Sequence, residues 1–299
     1  MSQITLAEQS TPSTPSSGNA AFYPKSDGNF YSLNDSGQEF LLGGGGAQSF
    51  RRLVASPASF TTFTVTAQTC VTVSPSTGAA RRLTSVNVTS SDLSAAQGAS
   101  AANGRDQSGT FSAGVIFCYV ISGSGQTTAL LFSTSETAPT LPTNYTEWAI
   151  VGPLRWGGSS FDANYRYRGS VCTIDAGVNV LSGGTATTET SVSMTGYVPA
   201  STEVYRISGS GTATADGSAN YDLDLTLRSF TAVNQVVWKS PPKANSAGAT
   251  GQPTWLGKEC QLANIAGAAS IFYLHTVTVG SAPSTTLTLR GFTYSNGAN

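Results

Sequence analysis

Charge is what this sequence has least of. Asp, Glu, Lys and Arg make up 10% of its 299 residues, against roughly a quarter in an ordinary soluble domain. Fifteen Lys and Arg nearly balance 16 Asp and Glu, for a formal net charge of −1. Such a balance leaves no electrostatic footprint for phosphates, so no nucleic-acid partner is expected. The basic doublets Arg51-Arg52 and Arg81-Arg82 are isolated and read as solvated or interface arginines. Histidine occurs once, at His275, inside an apolar strand-like run. Any Ser-His-Asp arrangement would have to use it, and no Gly-x-Ser-x-Gly elbow accompanies it. Cys70, Cys118, Cys172 and Cys260 are widely separated, with no Cys-x-x-Cys pair, and the first three lie in apolar runs. Their expected role is that of small buried hydrophobes in a reducing cytosol, with a disulfide pair as the lesser alternative and no metal or cofactor. No apolar run reaches the ~18 residues of a membrane span. Residues 1–20 lack the basic start and apolar core of a secretory signal, so neither membrane insertion nor export is expected.

Glycine (32 residues), Ser, Thr and Ala fill the space that charge leaves, while Val, Ile and the aromatics keep recurring. The combination fits a neutral, Thr-faced β protein. Weak charge also gives weak colloidal repulsion, which suits a chain packed against its own copies or a larger assembly.

The central stretch, residues 113–168, is framework. Its apolar run around Val115 to Ile121, a Gly/Ser break at 122–126 and a second run, Ala129 to Phe132, predict a β-hairpin. Pro139 and Pro142 cannot donate to a ladder, so residues 134–145 are expected as an ordered loop. Strand character resumes over 148–156. Elsewhere, alternation predicts strands at 60–73, 83–88, 164–174, 185–198, 202–207, 233–239, 271–279 and 287–294. Residues 164–174 read as one strand with Tyr165 and Tyr167 on one face and Arg166 and Arg168 on the other. The cleanest pattern is 221–228, where Tyr221, Leu223, Leu225 and Leu227 face in and Asp222, Asp224, Thr226 and Arg228 face out. Residues 90–109 read as a small-residue loop carrying Asp92 and Asp106. Roughly 11 to 14 strands and no amphipathic helix predict an all-β fold: an N-terminal extended arm (1–46) followed by a jelly-roll-like β-sandwich (47–299).

The arm begins with a Ser/Thr/Pro-rich tail, residues 1–19, and packs aromatics densely thereafter. Asp27-Gly28 predicts a hairpin turn and Asp35-Ser36-Gly37 a second one, giving a miniature meander that ends in four glycines, Gly43 to Gly46, read as a hinge. About 20 residues bury too little apolar area to be stable alone. Phe22, Tyr23, Phe30, Tyr31, Phe40, Leu41 and Leu42 therefore need a partner surface, either their own C-terminal domain or another protein.

Two resemblances bear on which. The order Asn103-Gly104-Arg105-Asp106, apolar strand, Gly/Ser turn, Ala129-Leu130-Leu131, then Ser133 to Pro142, Tyr145-Thr146 and Gly158-Ser159-Ser160-Phe161 resembles a β-rich domain of bacteriophage tail-fibre-like and other virion proteins. The match covers roughly residues 85–170. Independently, Tyr23-Pro24-Lys25, Asp27-Gly28, Phe30-Tyr31, Leu33 and Gly37 resemble the N-terminal anchor segment of phage fibres. The resemblance implies that residues 22–42 attach a homotrimer to the particle. The docking residues would be Phe22, Tyr23, Pro24, Lys25, Asp27, Gly28, Phe30, Tyr31, Leu33, Phe40, Leu41 and Leu42. It further implies a non-enzymatic virion protein, assembled in the host bacterial cytoplasm and held by portal, adaptor, tail or capsid proteins. Its role would be host attachment through a surface glycan or protein; the alternative is a capsid decoration or cement protein.

The residues offer little chemistry against that. Residues 251–259 only superficially resemble a P-loop: the glycine spacing is one too long, and Glu259 stands where Ser or Thr would bind magnesium. Asp222 and Asp224, about 7 Å apart on one strand face, could form a glycosidase pair or a calcium site, but a solvated strand face is the expected reading. Trp148, Trp156, Trp238, Trp255, Tyr165 and Tyr167 are the candidate sugar-stacking rings, and packing is the competing explanation for each.

Overall fold

The computed structural model describes residues 12–25, 30–33, 35, 39–42, 48–95, 97–162, 165–214, 220–229, 235–239, 243–244, 250–251, 258–264 and 269–296. The fold is all-β, with no helix among these residues. The arm contributes β1 (Ala21–Pro24), β2 (Phe30–Leu33) and β3 (Glu39–Leu42), an antiparallel meander forming a sheet of its own. The tail at 1–11, the turn at Asp27-Gly28, Ser36-Gly37 and the tetraglycine hinge lie outside the described residues.

The body opens with β4 (Ser49–Arg51), β5 (Val54–Pro57), β6 (Phe63–Val73), β7 (Ala80–Thr89), β8 (Gly104–Arg105), β9 (Gly114–Ser122), β10 (Ala129–Ser133), β11 (Glu147–Trp156) and β12 (Tyr165–Arg168). It continues with β13 (Val171–Gly184), β14 (Thr190–Ser193), β15 (Val204–Thr214), β16 (Asn220–Arg228), β17 (Gln235–Trp238), β18 (Lys243–Ala244), β19 (Thr250–Gly251), β20 (Glu259–Ala263), β21 (Ser270–Val279) and β22 (Ser281–Thr293). One large sheet runs β19-β15-β22-β13-β12-β5-β6-β11-β9-β10-β8, with β20, β4 and β7 joining from the side. A second sheet, β14-β21-β16-β17 with β18, completes an all-β sandwich. The large sheet is longer than either sheet of an eight-stranded jelly roll. Buried residues from Phe50 to Tyr294 form one contiguous core.

The central hairpin forms as expected, with Ile121 opposite Ala129 and Phe117 opposite Ser133. Residues 116–122 are all buried. A strand covered on both faces reads as a continuous apolar run, which is what this segment is. In β16, Leu223, Leu225 and Leu227 are buried and Asp222, Asp224 and Arg228 half-exposed, but Thr226 is buried too. Thr226 lies mid-sheet, between Val237 of β17 and Leu274 of β21.

Three expectations need correcting. Residues 164–174 are not one strand: β12 turns at Gly169-Ser170, where Gly169 has φ 63°, and pairs back on β13. Tyr165 and Tyr167 still face in and Arg166 and Arg168 out. The expected strand at 60–73 starts only at Phe63, leaving Phe60 80% exposed. The expected strand at 185–198 shrinks to Thr190–Ser193.

One device shapes the first half of the body. Phe63, Val65 and Ala67 of β6 face in, and beyond Gln68 the inward set becomes Cys70 and Thr72. The register places Gln68 between Arg52 and Ser85, both left-handed at φ 55° and 53°. The neighbours switch with it: Phe50 gives way to Leu53 and Ala55, and Leu83 to Val86. Three strands thus kink together, and the large sheet keeps its apolar face turned to the core on both sides of the bend.

Candidate docking surface

The arm's sheet is built by register. Tyr23 stands opposite Tyr31, which stands opposite Leu41; Ala21 stands opposite Leu33, and Leu33 opposite Glu39. Side chains alternate along a strand. Tyr23 and Leu33 are 0% and 2% exposed, and with Tyr31 they form a cluster separate from the main core, Ala21 packing against it. The two tyrosine rings are 6.1 Å apart, tilted by 31°, and Lys25 Nζ sits 4.5 Å over the Tyr31 ring, a cation–π contact. Gly18 N–H donates to Asp35 Oδ2 at 2.8 Å, tying the segment before β1 to the turn after β2. Phe22, next to Tyr23 and of opposite alternation, is 65% exposed. Pro24 is buried. Of the docking candidates, Asp27 and Gly28 lie outside the described residues, and Phe30, Phe40, Leu41 and Leu42 are described in backbone only.

Two buried ionisable groups of the body, His275 and Glu147, have their polar atoms taken up by neighbouring residues. His275 is 2% exposed: Nδ1 meets the Ala186 carbonyl at 2.9 Å, and Nε2 meets Thr285 Oγ1 at 2.6 Å. Burial lowers its pKa, so the ring is neutral at pH 7 and both nitrogens are occupied. Glu147, buried in β11, takes Arg81 on both oxygens at 3.2 and 3.3 Å, and Ser122 Oγ at 3.1 Å. Ser122 in turn meets Thr72 at 2.6 Å. One member of an expected solvated doublet is thus a partly buried structural cation.

The Pro-rich loop at 134–145 is held through Glu136, which accepts from Tyr294 Oη at 2.9 Å and from Ser201. Tyr119 Oη donates to Ser135 O at 2.5 Å. Burial, followed by the Glu136 charge, pushes both phenols well above their ordinary range. Burial also pushes the Cys70 and Cys260 thiols up to about 12 and raises Cys118 and Cys172 as well. All four cysteines are free.

Arg105, within the loop expected at 90–109, stood out in the sequence only as part of Asn103-Gly104-Arg105-Asp106, and nothing there signalled its burial. It is 1% exposed, and its guanidinium donates to the carbonyls of Leu93, Ala95 (3.1 Å) and Ser108 (3.4 Å). β8, which carries it, pairs in parallel with β10. The Asn-Gly-Arg-Asp segment at 103–106 is thus a clamp that closes the loop.

The candidate sugar-stacking rings are packed. Trp156, Tyr165 and Tyr167 are fully buried, Trp238 is 5% exposed and lies against Gly209, and Trp148 is half-buried edge-on to Tyr119 at 5.2 Å. Trp255 lies outside the described residues. Among the described residues, no group of three or more His, Cys, Asp or Glu side chains is arranged to hold a metal ion. No protein-family model matches the chain, and no curated protein matches it.

Proposed function

We propose that the chain is a non-enzymatic structural protein of a bacteriophage virion: a fibre-like appendage, homotrimeric, anchored by residues 1–46 and acting in host attachment through its β-sandwich body. The anchor would seat on another virion protein of the portal, adaptor, tail or capsid. One observation carries this reading. The arm has a small core of its own, Tyr23, Tyr31 and Leu33, apart from the body's core, and it presents Phe22 at 65% exposure beside it. A unit of so few residues buries too little apolar area to be stable alone, so a neighbouring subunit that covers Phe22 would stabilise it. The resemblance of residues 22–42 to fibre anchors points the same way. The occupied nitrogens of His275 and the paired Glu147 support a structural rather than a catalytic body.

The test is deletion of residues 1–46. The truncated protein is expected to stay soluble and folded but to be missing from assembled particles, and particles without it to adsorb poorly to host cells. Particles that adsorb normally but leak DNA on heating would point instead to a capsid cement protein. Incorporation at the wild-type level would overturn the docking role.

A further inference from the structure

The partners of the arginines single out one surface. Arg81, Arg155, Arg166, Arg206 and Arg228 each pair with a carboxylate. Arg105 is spent on backbone carbonyls, and Arg290 on Ser208 and the Ala176 carbonyl. The remaining four, Arg51, Arg52, Arg82 and Arg168, are exposed and have no partner among the described residues. They are scattered through 118 positions of sequence (168 − 51 + 1), yet the topology gathers them. Arg51 opposes Thr69 of β6, Arg82 opposes Val71 of the same strand, and Arg168 opposes Val54, two residues beyond Arg52. Strand spacing puts Arg52 and Arg168 about 8 Å apart at Cα, and Arg51 and Arg82 about 12 Å apart.

All four stand on the outer face, opposite the buried Phe50, Ala55 and Cys70, beside the three-strand kink. Outward positions of β4 to β7 and β12 carry neither a carboxylate nor an aromatic ring among the described residues; between the arginines they carry hydroxyls such as Thr69 and Thr84. In a chain whose other arginines all have partners, four unpaired guanidiniums on one outward face, astride the bend, form a site for an extended anion.

We infer that this face binds an acidic polysaccharide. Guanidinium forks match carboxylates in two hydrogen bonds, and the intervening threonines suit sugar hydroxyls. Single-stranded nucleic acid would require stacking rings, which the face lacks, and a positive chain, whereas the net charge is −1. The inference deepens the attachment reading above by giving the host-surface ligand a chemical class, but its test is separate.

The test is affinity electrophoresis of the full-length protein in gels carrying polygalacturonate, dextran, polyglutamate or a single-stranded DNA oligonucleotide. Polygalacturonate should retard the wild type, dextran should not, and added salt should weaken the effect. The variant R51Q/R82Q/R168Q should bind roughly tenfold more weakly or worse. R206Q, at a paired arginine, should bind as the wild type does. Because the substituted side chains are exposed, the thermal melt should be unchanged; R82Q/R168Q serves if the triple variant is unstable. The inference is overturned if polygalacturonate fails to retard the wild type or retards the variants equally. It also fails if DNA or polyglutamate binds more tightly. Incorporation of the variants into particles should be normal, so loss of glycan binding and loss of docking report on different claims.

Discussion

Tyr167 lies across Gly152. A Cβ at residue 152 would stand 2.5 Å from the tyrosine ring, and the Tyr167 hydroxyl donates to the neighbouring Pro153 carbonyl at 2.6 Å. Gly152 has φ 152° and sits where the β11–β9 register shifts. A glycine bulge, a ring laid over it and a strand proline with its carbonyl satisfied make a single unit that joins β12 to β11.

Gly152→Ala should therefore destabilise the protein by about 2 kcal/mol or more, since it forces a fully buried ring to move. Gly125→Ala, with φ 71° but nothing within 4 Å, should cost only about 1 kcal/mol for the backbone. Tyr167→Phe strands a buried carbonyl, at about 1–2 kcal/mol. Urea unfolding of the three variants checks the ranking.

Arg105→Ala should cost about 3 kcal/mol, because it leaves a cavity and three carbonyls without their donor. Arg105→Lys should recover little of this, since an ammonium cannot reproduce the planar fork. Hydrogen exchange should show faster opening of residues 91–105, where the Ser91 and Leu93 amides bond to the Asn103 and Thr61 carbonyls.

His275 predicts a pH dependence. Burial puts the folded pKa below the ordinary 6.5. As pH falls, the unfolded chain takes up the proton first, so stability is full above about 6.5 and is lost between that value and the lower folded pKa. The urea midpoint of the wild type should therefore drop between pH 8 and 5 by more than that of His275→Gln. Equal drops would assign the dependence to other groups.

The thiols should be silent in the native protein. Cys70, Cys118 and Cys172 are buried, and Cys260 is half-buried with its pKa pushed up to about 12, so little thiolate exists at neutral pH. A colorimetric thiol reagent should titrate four cysteines in denaturant and react slowly, if at all, without it.

Much of this framework was legible in the sequence. Alternation in 221–228 put Leu223, Leu225 and Leu227 inside, and the unbroken run at 115–121 belonged to a strand covered on both faces. Features set by neighbours distant in sequence were not legible. The inward parity of β6 changes at Gln68 because Arg52 and Ser85 are left-handed on either side, and no local pattern in 63–73 encodes that. Gly169 looked like an ordinary strand residue until pairing made it a turn. In the arm, the density of aromatics was plain, but their division into buried Tyr23 and Tyr31 and exposed Phe22 required the register. Arg51, Arg52 and Arg82 read as solvated or interface arginines, but their gathering with Arg168 on one face, and the loss of Arg81 to Glu147, depended on strand pairing.

The most direct measurement is high-resolution imaging of assembled particles carrying the full-length protein. The account predicts residues 22–42 seated against a neighbouring virion subunit, with Phe22 covered by it. An arm that hangs in solvent, or that touches nothing beyond its own chain, would contradict it.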